Sequence, residues 1–154
     1  MDSLDEKLVR VLGADARQNV DAIAKQFKVS PSTIRRRIAG LIRSGILRII
    51  GVVDPDKVGY PLCAVVALNT SRKHLNSIVD TLASRPEVKW LAVTSGQYDI
   101  IAIVFFPSFE ELSRFIRGEL DTLGGISESK TFICMEVKKG RFVPLLFDAE
   151  VELR

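Results

Sequence analysis

The stretch from Lys28 to Gly45 restricts the fold more than any other, because its start, its buried face and its stop can all be read from local chemistry. Ser30 suits the N-cap of a helix. Pro31 suits the first helical position, where its missing N–H costs nothing, and Val29 with Ile34 has the spacing of a hydrophobic staple. Gly45 supplies a stop. At about 100° per residue, Ile34, Ile38, Leu41 and Ile42 share one face, while Ser32, Thr33, Arg36, Gly40 and Arg43 lie on the other. Arg35 and Arg37 flank that outer face. A helix with an apolar stripe and an arginine-rich outer surface is the pattern of a DNA-reading helix.

Such a helix is normally the second of a helix-turn-helix pair, and the preceding sequence supplies the first. Asn19 is a good N-cap, Val20, Ile23, Ala24 and Phe27 follow with helical spacing, and only Lys28 and Val29 intervene before Ser30. Further upstream, Ser3-Leu4-Asp5-Glu6 reads as a capping box, and Leu4, Leu8, Val11 and Leu12 form a third stripe. After Gly45, the β-branched run Ile46 to Val53 reads as a wing or hinge strand, with Arg48 placed to touch a phosphate.

The charge distribution agrees. Residues 1–50 hold ten Lys/Arg and five Asp/Glu, whereas residues 51–154 hold twelve and fourteen, although the whole chain carries only +3. From Ala22 to Val53 there are seven basic residues and no acidic one, a local field that attracts phosphate. The asymmetry implies two small domains, a winged helix-turn-helix over 1–53 and a second domain over 60–154, joined by a hinge at 54–59. No run approaches the about 18 apolar residues of a membrane span, and the amino terminus lacks the pattern of a secretion signal, so a cytoplasmic protein is expected. Cys63 and Cys134 lie in apolar, strand-like runs and read as buried free thiols, in positions that allow adjacent strands; they lack zinc spacing.

The second half reads as a βαββαβ unit. Strands are expected at Tyr60–Asn69, Val88–Thr94, Tyr98–Phe106 and Thr131–Val137. One helix carries Leu75, Ile78, Val79 and Leu82; the other starts at Ser108 with Glu111 and carries Leu112, Phe115, Ile116, Leu120 and Leu123 before Gly124-Gly125. This order implies a ferredoxin-like α+β sandwich. The first and third strands are apolar on both faces. Helices cover one face only, so a second copy related by a two-fold axis is expected on the other.

The full chain resembles the Lrp/AsnC (feast/famine) family of prokaryotic transcription regulators. The resemblance rests on the order and spacing of Leu4-Asp5 through Leu12, Asp15-Ala16-Arg17, the helix pair to Ile38, Leu41 to Ile46, Asp54-Pro55 with Gly59, Ser95-Gly96-Gln97-Tyr98-Asp99 and Lys130-Thr131. It implies a regulator that binds double-stranded DNA, dimerises and often assembles into octamers through its C-terminal domain, and responds to a small molecule, frequently an amino acid. It also places the effector site at Ser95, Gly96, Gln97, Tyr98 and Asp99. Those residue types suit it: Gly96 would let backbone N–H groups approach a carboxylate, and Asp99 would balance an ammonium group or else serve the turn itself.

For DNA, Ser32, Thr33 and Arg36 are assigned to the major groove and Arg35, Arg37, Arg43 and Arg48 to phosphate. Two alternatives stand beside this reading: a DNA-organising protein of the same fold with little sequence preference, and a haem-pathway decarboxylase of similar architecture. The single histidine, His74, at a helix start and the absence of nucleotide, zinc-protease and serine-hydrolase motifs argue against an enzyme, and no cofactor is expected.

Overall fold

The computed structural model describes residues 1–140 and residue 143, and the chain divides into two units, Met1–Ile50 and a second beginning at Gly51. The first holds three helices: α1 (Ser3–Ala14), α2 (Val20–Phe27) and α3 (Pro31–Arg43). Their stripes meet in a small core of Leu8, Leu12, Ile23, Ala24, Ile34 and Leu41, rimmed by Leu4, Val20, Phe27, Val29 and Ile38. Burying each large aliphatic side chain contributes about 1.5–3 kcal/mol, so this core leaves little surplus.

Local signals set the helix ends. Asn19 Oδ1 accepts from the Asp21 N–H at 2.8 Å, and Ser30 Oγ accepts from the Thr33 N–H at 3.1 Å. At the far end of α3, Gly45 adopts φ 71°, and the Ile46 N–H reaches the Leu41 carbonyl while the Gly45 N–H reaches Ile42, both at 3.0 Å. That is a Schellman stop, which satisfies carbonyls the helix would otherwise leave orphaned.

Three expectations for this region need correction. The cap of α1 is Asp2, one residue before the expected box: its Oδ1 accepts from the N–H groups of Leu4 and Asp5, and the Asp2 N–H donates back to Asp5 Oδ2. Ile42 is not part of the stripe but 45% exposed, because Leu41 already occupies the core and the next residue is turned away from it. The run from Ile46 to Val52 forms no strand. Its Ile46, Ile49, Ile50 and Val52 are about half exposed, and only Val53 pairs, bridging Val143 through N–H···O bonds of 3.0 and 3.1 Å. β-Branched composition favours a strand but cannot supply its partner.

In the second unit a 3-10 turn, Pro55–Val58, leads into β1 (Leu62–Thr70), α4 (Leu75–Ala83), β2 (Val88–Val93), β3 (Ile100–Phe106), α5 (Phe109–Arg114) continued by a π-helical stretch (Phe115–Leu120), and β4 (Ile126–Ile133). The strands form one antiparallel sheet in the order β2-β3-β1-β4, the ferredoxin-like arrangement. Ala64, Val66, Leu68, Ile100, Ala102, Val104 and Phe106 line its helix-covered face and pack on Ile78, Leu82, Leu112, Phe115 and Leu120. Ser108 caps α5, accepting from the Glu111 N–H at 3.2 Å.

β4 runs from Ile126 to Ile133 instead of the expected Thr131 to Val137. It is an edge strand whose Ser127, Glu128, Ser129 and Lys130 break the apolar pattern, so its first half has the composition of a loop. β3 likewise begins at Ile100, two residues after the expected start. The expected apolar run and acidic tail beyond Gly140 lie, except for Val143, outside the described residues.

Candidate functional site

Opposite Ile34 and Leu41, α3 presents Ser32, Arg35, Arg36 and Arg43 as exposed residues, with Thr33 half-buried at its start. The hydroxyls gather there: Ser30 Oγ lies 2.9 Å from Ser32 Oγ and 2.8 Å from Thr33 Oγ1. Arg36, Arg43 and the exposed Arg48 make no ion pair among the described residues. Arg35 only approaches Asp21, at 3.9 Å with both side chains in solvent, a contact that water and salt largely screen.

Arg37 differs from its neighbours. Its Nη1 lies 2.6 Å from Asp2 Oδ2 and 3.3 Å from Asp5 Oδ1, the Asp5 side chain being only 13% exposed. The guanidinium therefore joins the start of α1 to the middle of α3. The expected phosphate role for Arg37 must compete with two carboxylates already in contact. Hydrogen bonding from the Asp5 N–H, with the charge of Arg37 beside it, holds the Asp2 carboxyl below the usual carboxylate range. The acid-free window in the sequence is not acid-free in space, since Asp2, Asp5 and Asp21 all approach α3.

The turn between β2 and β3 is closed by the Thr94 N–H, which donates to the Asp99 carbonyl at 2.9 Å, and by the Thr94 hydroxyl, which donates to the Tyr98 carbonyl. Ser95, Gly96 and Gln97 are exposed, while Tyr98 and Asp99 are half-buried. A Cβ on Gly96 would meet nothing within 4 Å, so the backbone here forms no cradle that only glycine allows. Asp99 is occupied structurally: its Oδ2 accepts from the Thr70 N–H at 2.8 Å, and its own N–H donates to the Leu68 carbonyl at 3.0 Å and to Asn69 Oδ1 at 3.2 Å. The carboxylate thus ties this turn to the end of β1.

Sequence reading missed a cation at this turn. The Tyr98 oxygen and the Glu128 carboxylate, 3.5 Å away, raise the Lys130 ammonium above its ordinary range, and Asn69 Nδ2 donates to Glu128 at 3.0 Å. Lys130 stood in the sequence beside Thr131, but only the pairing of β4 with β1 brings it to Tyr98.

The uncovered sheet face carries a third feature. The register sets Trp90 beside Ile103, Ile103 beside Val65 and Val65 beside Phe132, an apolar row across all four strands. Trp90 is 50% and Phe132 54% exposed.

Residues 1–42 match the AsnC-type helix-turn-helix domain and residues 63–143 the Lrp/AsnC ligand binding domain. An uncharacterised HTH-type transcriptional regulator of Pyrococcus abyssi is 33% identical over 90% of this chain and 89% of its own length. The regulatory protein AsnC of Haemophilus influenzae is also 33% identical, over 88% of this chain and 92% of its own. Among solved structures, Escherichia coli AsnC superposes with a TM-score of 0.81 at 28% identity, covering 90% of this chain and 94% of that one. A Neisseria meningitidis regulator in complex with L-Met shares the fold, with a TM-score of 0.82 at 21% identity over 90% and 92% of the two chains. With the helix pair, the ferredoxin-like sheet and these matches in agreement, the chain belongs to the Lrp/AsnC family of transcription regulators.

Proposed function

We propose that this regulator binds specific DNA sequences through α3 as a two-fold dimer and that a small metabolite, an amino acid, controls it. The observation that carries the reading is the outward face of α3, where Arg36 and Arg43 stand exposed beside Ser32 while the opposite face is locked into the core. Ser32, Thr33 and Arg36 read base edges; Arg35, Arg43 and Arg48 engage phosphate, and Arg37 joins them only when it leaves Asp2 and Asp5. Titrating the protein with an operator duplex and with a random duplex at several salt concentrations tests this. Operator preference with a steep salt dependence is expected, and equal affinity for both duplexes at physiological salt overturns it.

The apolar row on the uncovered sheet face supports the dimer, because an isologous contact would bury that row against itself. Two reading helices would then meet half-sites about one helical turn apart, or a multiple of that. Further assembly into octamers belongs to the same reading.

For the effector, the exposed residues Ser95, Gly96 and Gln97, through their backbone N–H groups, together with Lys130 offer donors to a carboxylate, and the remaining acceptor capacity of Asp99 offers a partner to an ammonium group. The L-Met complex of the Neisseria protein supports an amino acid as the class. Calorimetric screening of amino acids should find a binder that Lys130→Ala weakens; a screen in which none binds removes the effector from the proposal and leaves DNA recognition standing.

A further inference from the structure

We propose that Cys63 and Cys134 form a reversible disulfide that staples the end of edge strand β4 to β1. The register that sets Ala64 against Ile133 sets Cys63 against Cys134, and the Cys134 N–H donates to the Cys63 carbonyl at 2.9 Å. Directly opposed residues of an antiparallel pair hold their Cα atoms about 4.5–5.5 Å apart. That lies inside the roughly 4.4–6.8 Å that a disulfide spans. Opposed residues also project to the same side of the sheet, so the two side chains are neighbours on the face that the helices leave uncovered.

Both thiols are free, and their settings differ: Cys63 is buried and Cys134 half-buried. Burial first, and the neighbouring Cys134 thiol second, push the Cys63 thiol up to about 12. In the single chain Cys134 is therefore the sulfur that a dissolved oxidant meets while the sheet face is uncovered, and Cys63 the one that resolves the product. With a small organic disulfide as oxidant, the Cys134 thiolate attacks one of its sulfurs, forming a mixed disulfide and releasing one thiolate. Cys63 then loses its proton to solvent and attacks Cys134 Sγ, expelling the second thiol. Two protein thiols are oxidised to one disulfide, and the organic disulfide is reduced to two thiols. Burial disfavours the Cys63 thiolate in the mixed disulfide as well, so the second step quickens as pH rises.

The full-length chain is incubated at low concentration with oxidised glutathione at pH 7 and pH 9, quenched with acid and weighed intact. The expected product is two hydrogen atoms lighter than the starting chain, runs as a single chain on a non-reducing gel and returns to the dithiol with dithiothreitol. Cys63→Ala should stop at the glutathione adduct on Cys134, and Cys134→Ala should remain unmodified under the same exposure. A wild-type chain that keeps the adduct at pH 9, or that crosslinks only between chains, overturns the proposal.

Discussion

The two units solve opposite surface problems. The helical unit buries a small apolar core and turns arginines outward, whereas the sheet unit buries one full face and leaves an apolar row on the second partly open. An exposed cation is stable in water and waits for an anionic partner. An exposed row of Trp90, Ile103, Val65 and Phe132 is stable only when something apolar covers it. The first surface is suited to reversible, salt-sensitive contact and the second to lasting assembly.

The strongest way to break that contrast is to charge the sheet face. An unpaired charge forced into an interface costs about 3–5 kcal/mol, so Val65→Asp should yield monomers by light scattering at micromolar concentration while α3 keeps its helical signal. An unchanged assembly would mean that the open face is not the contact. Next in size is Ile34→Ala, which removes a fully buried side chain from the smaller core at a cost of about 2–5 kcal/mol. Hydrogen exchange should then show lost protection across α1, α2 and α3, with β1 and β3 still protected.

Within the reading surface, Arg36→Ala should cost about 1–3 kcal/mol at the operator and relax preference at one base pair. Arg43→Ala should weaken all sequences alike and reduce the salt slope by about 1. If both variants behaved identically, the division between base and phosphate contacts on α3 would be wrong. The smallest effect belongs to Asp2. Its folded pKa lies below the unfolded value near 4, so its stabilisation is present above about pH 4 and is lost as pH falls through the folded value. Asp2→Asn should flatten the acid limb of the helical unit's thermal midpoint against pH. The acid dependence of the sheet unit should not change.

Local chemistry explains which parts were legible. Ser30, Pro31 and Gly45 determine both ends of α3 from within a few residues, and the near-continuous apolar runs of β1 and β3 announce a sheet that is buried at its centre. Helical phase sets Arg37 at the flank of the outer face and reports only its own element; its partners Asp2 and Asp5 precede it by more than thirty residues. The start of β4 is hidden from sequence because an edge strand needs few apolar residues, and Glu128 and Lys130 give it the composition of a loop. At the turn, sequence marks Asp99 as a polar group of consequence, but its bond to the Thr70 N–H depends on strand order, which only the folded sheet reveals.

Trp90 is the only tryptophan in the chain, and it stands half exposed at the β2 end of the apolar row. Indole emission shifts to shorter wavelength when water leaves the ring. The protein thus carries an intrinsic optical probe on the very surface whose covering is in question, with no other indole to dilute the signal. Dilution series and titrations can be followed by colour alone, without attaching a dye to either cysteine.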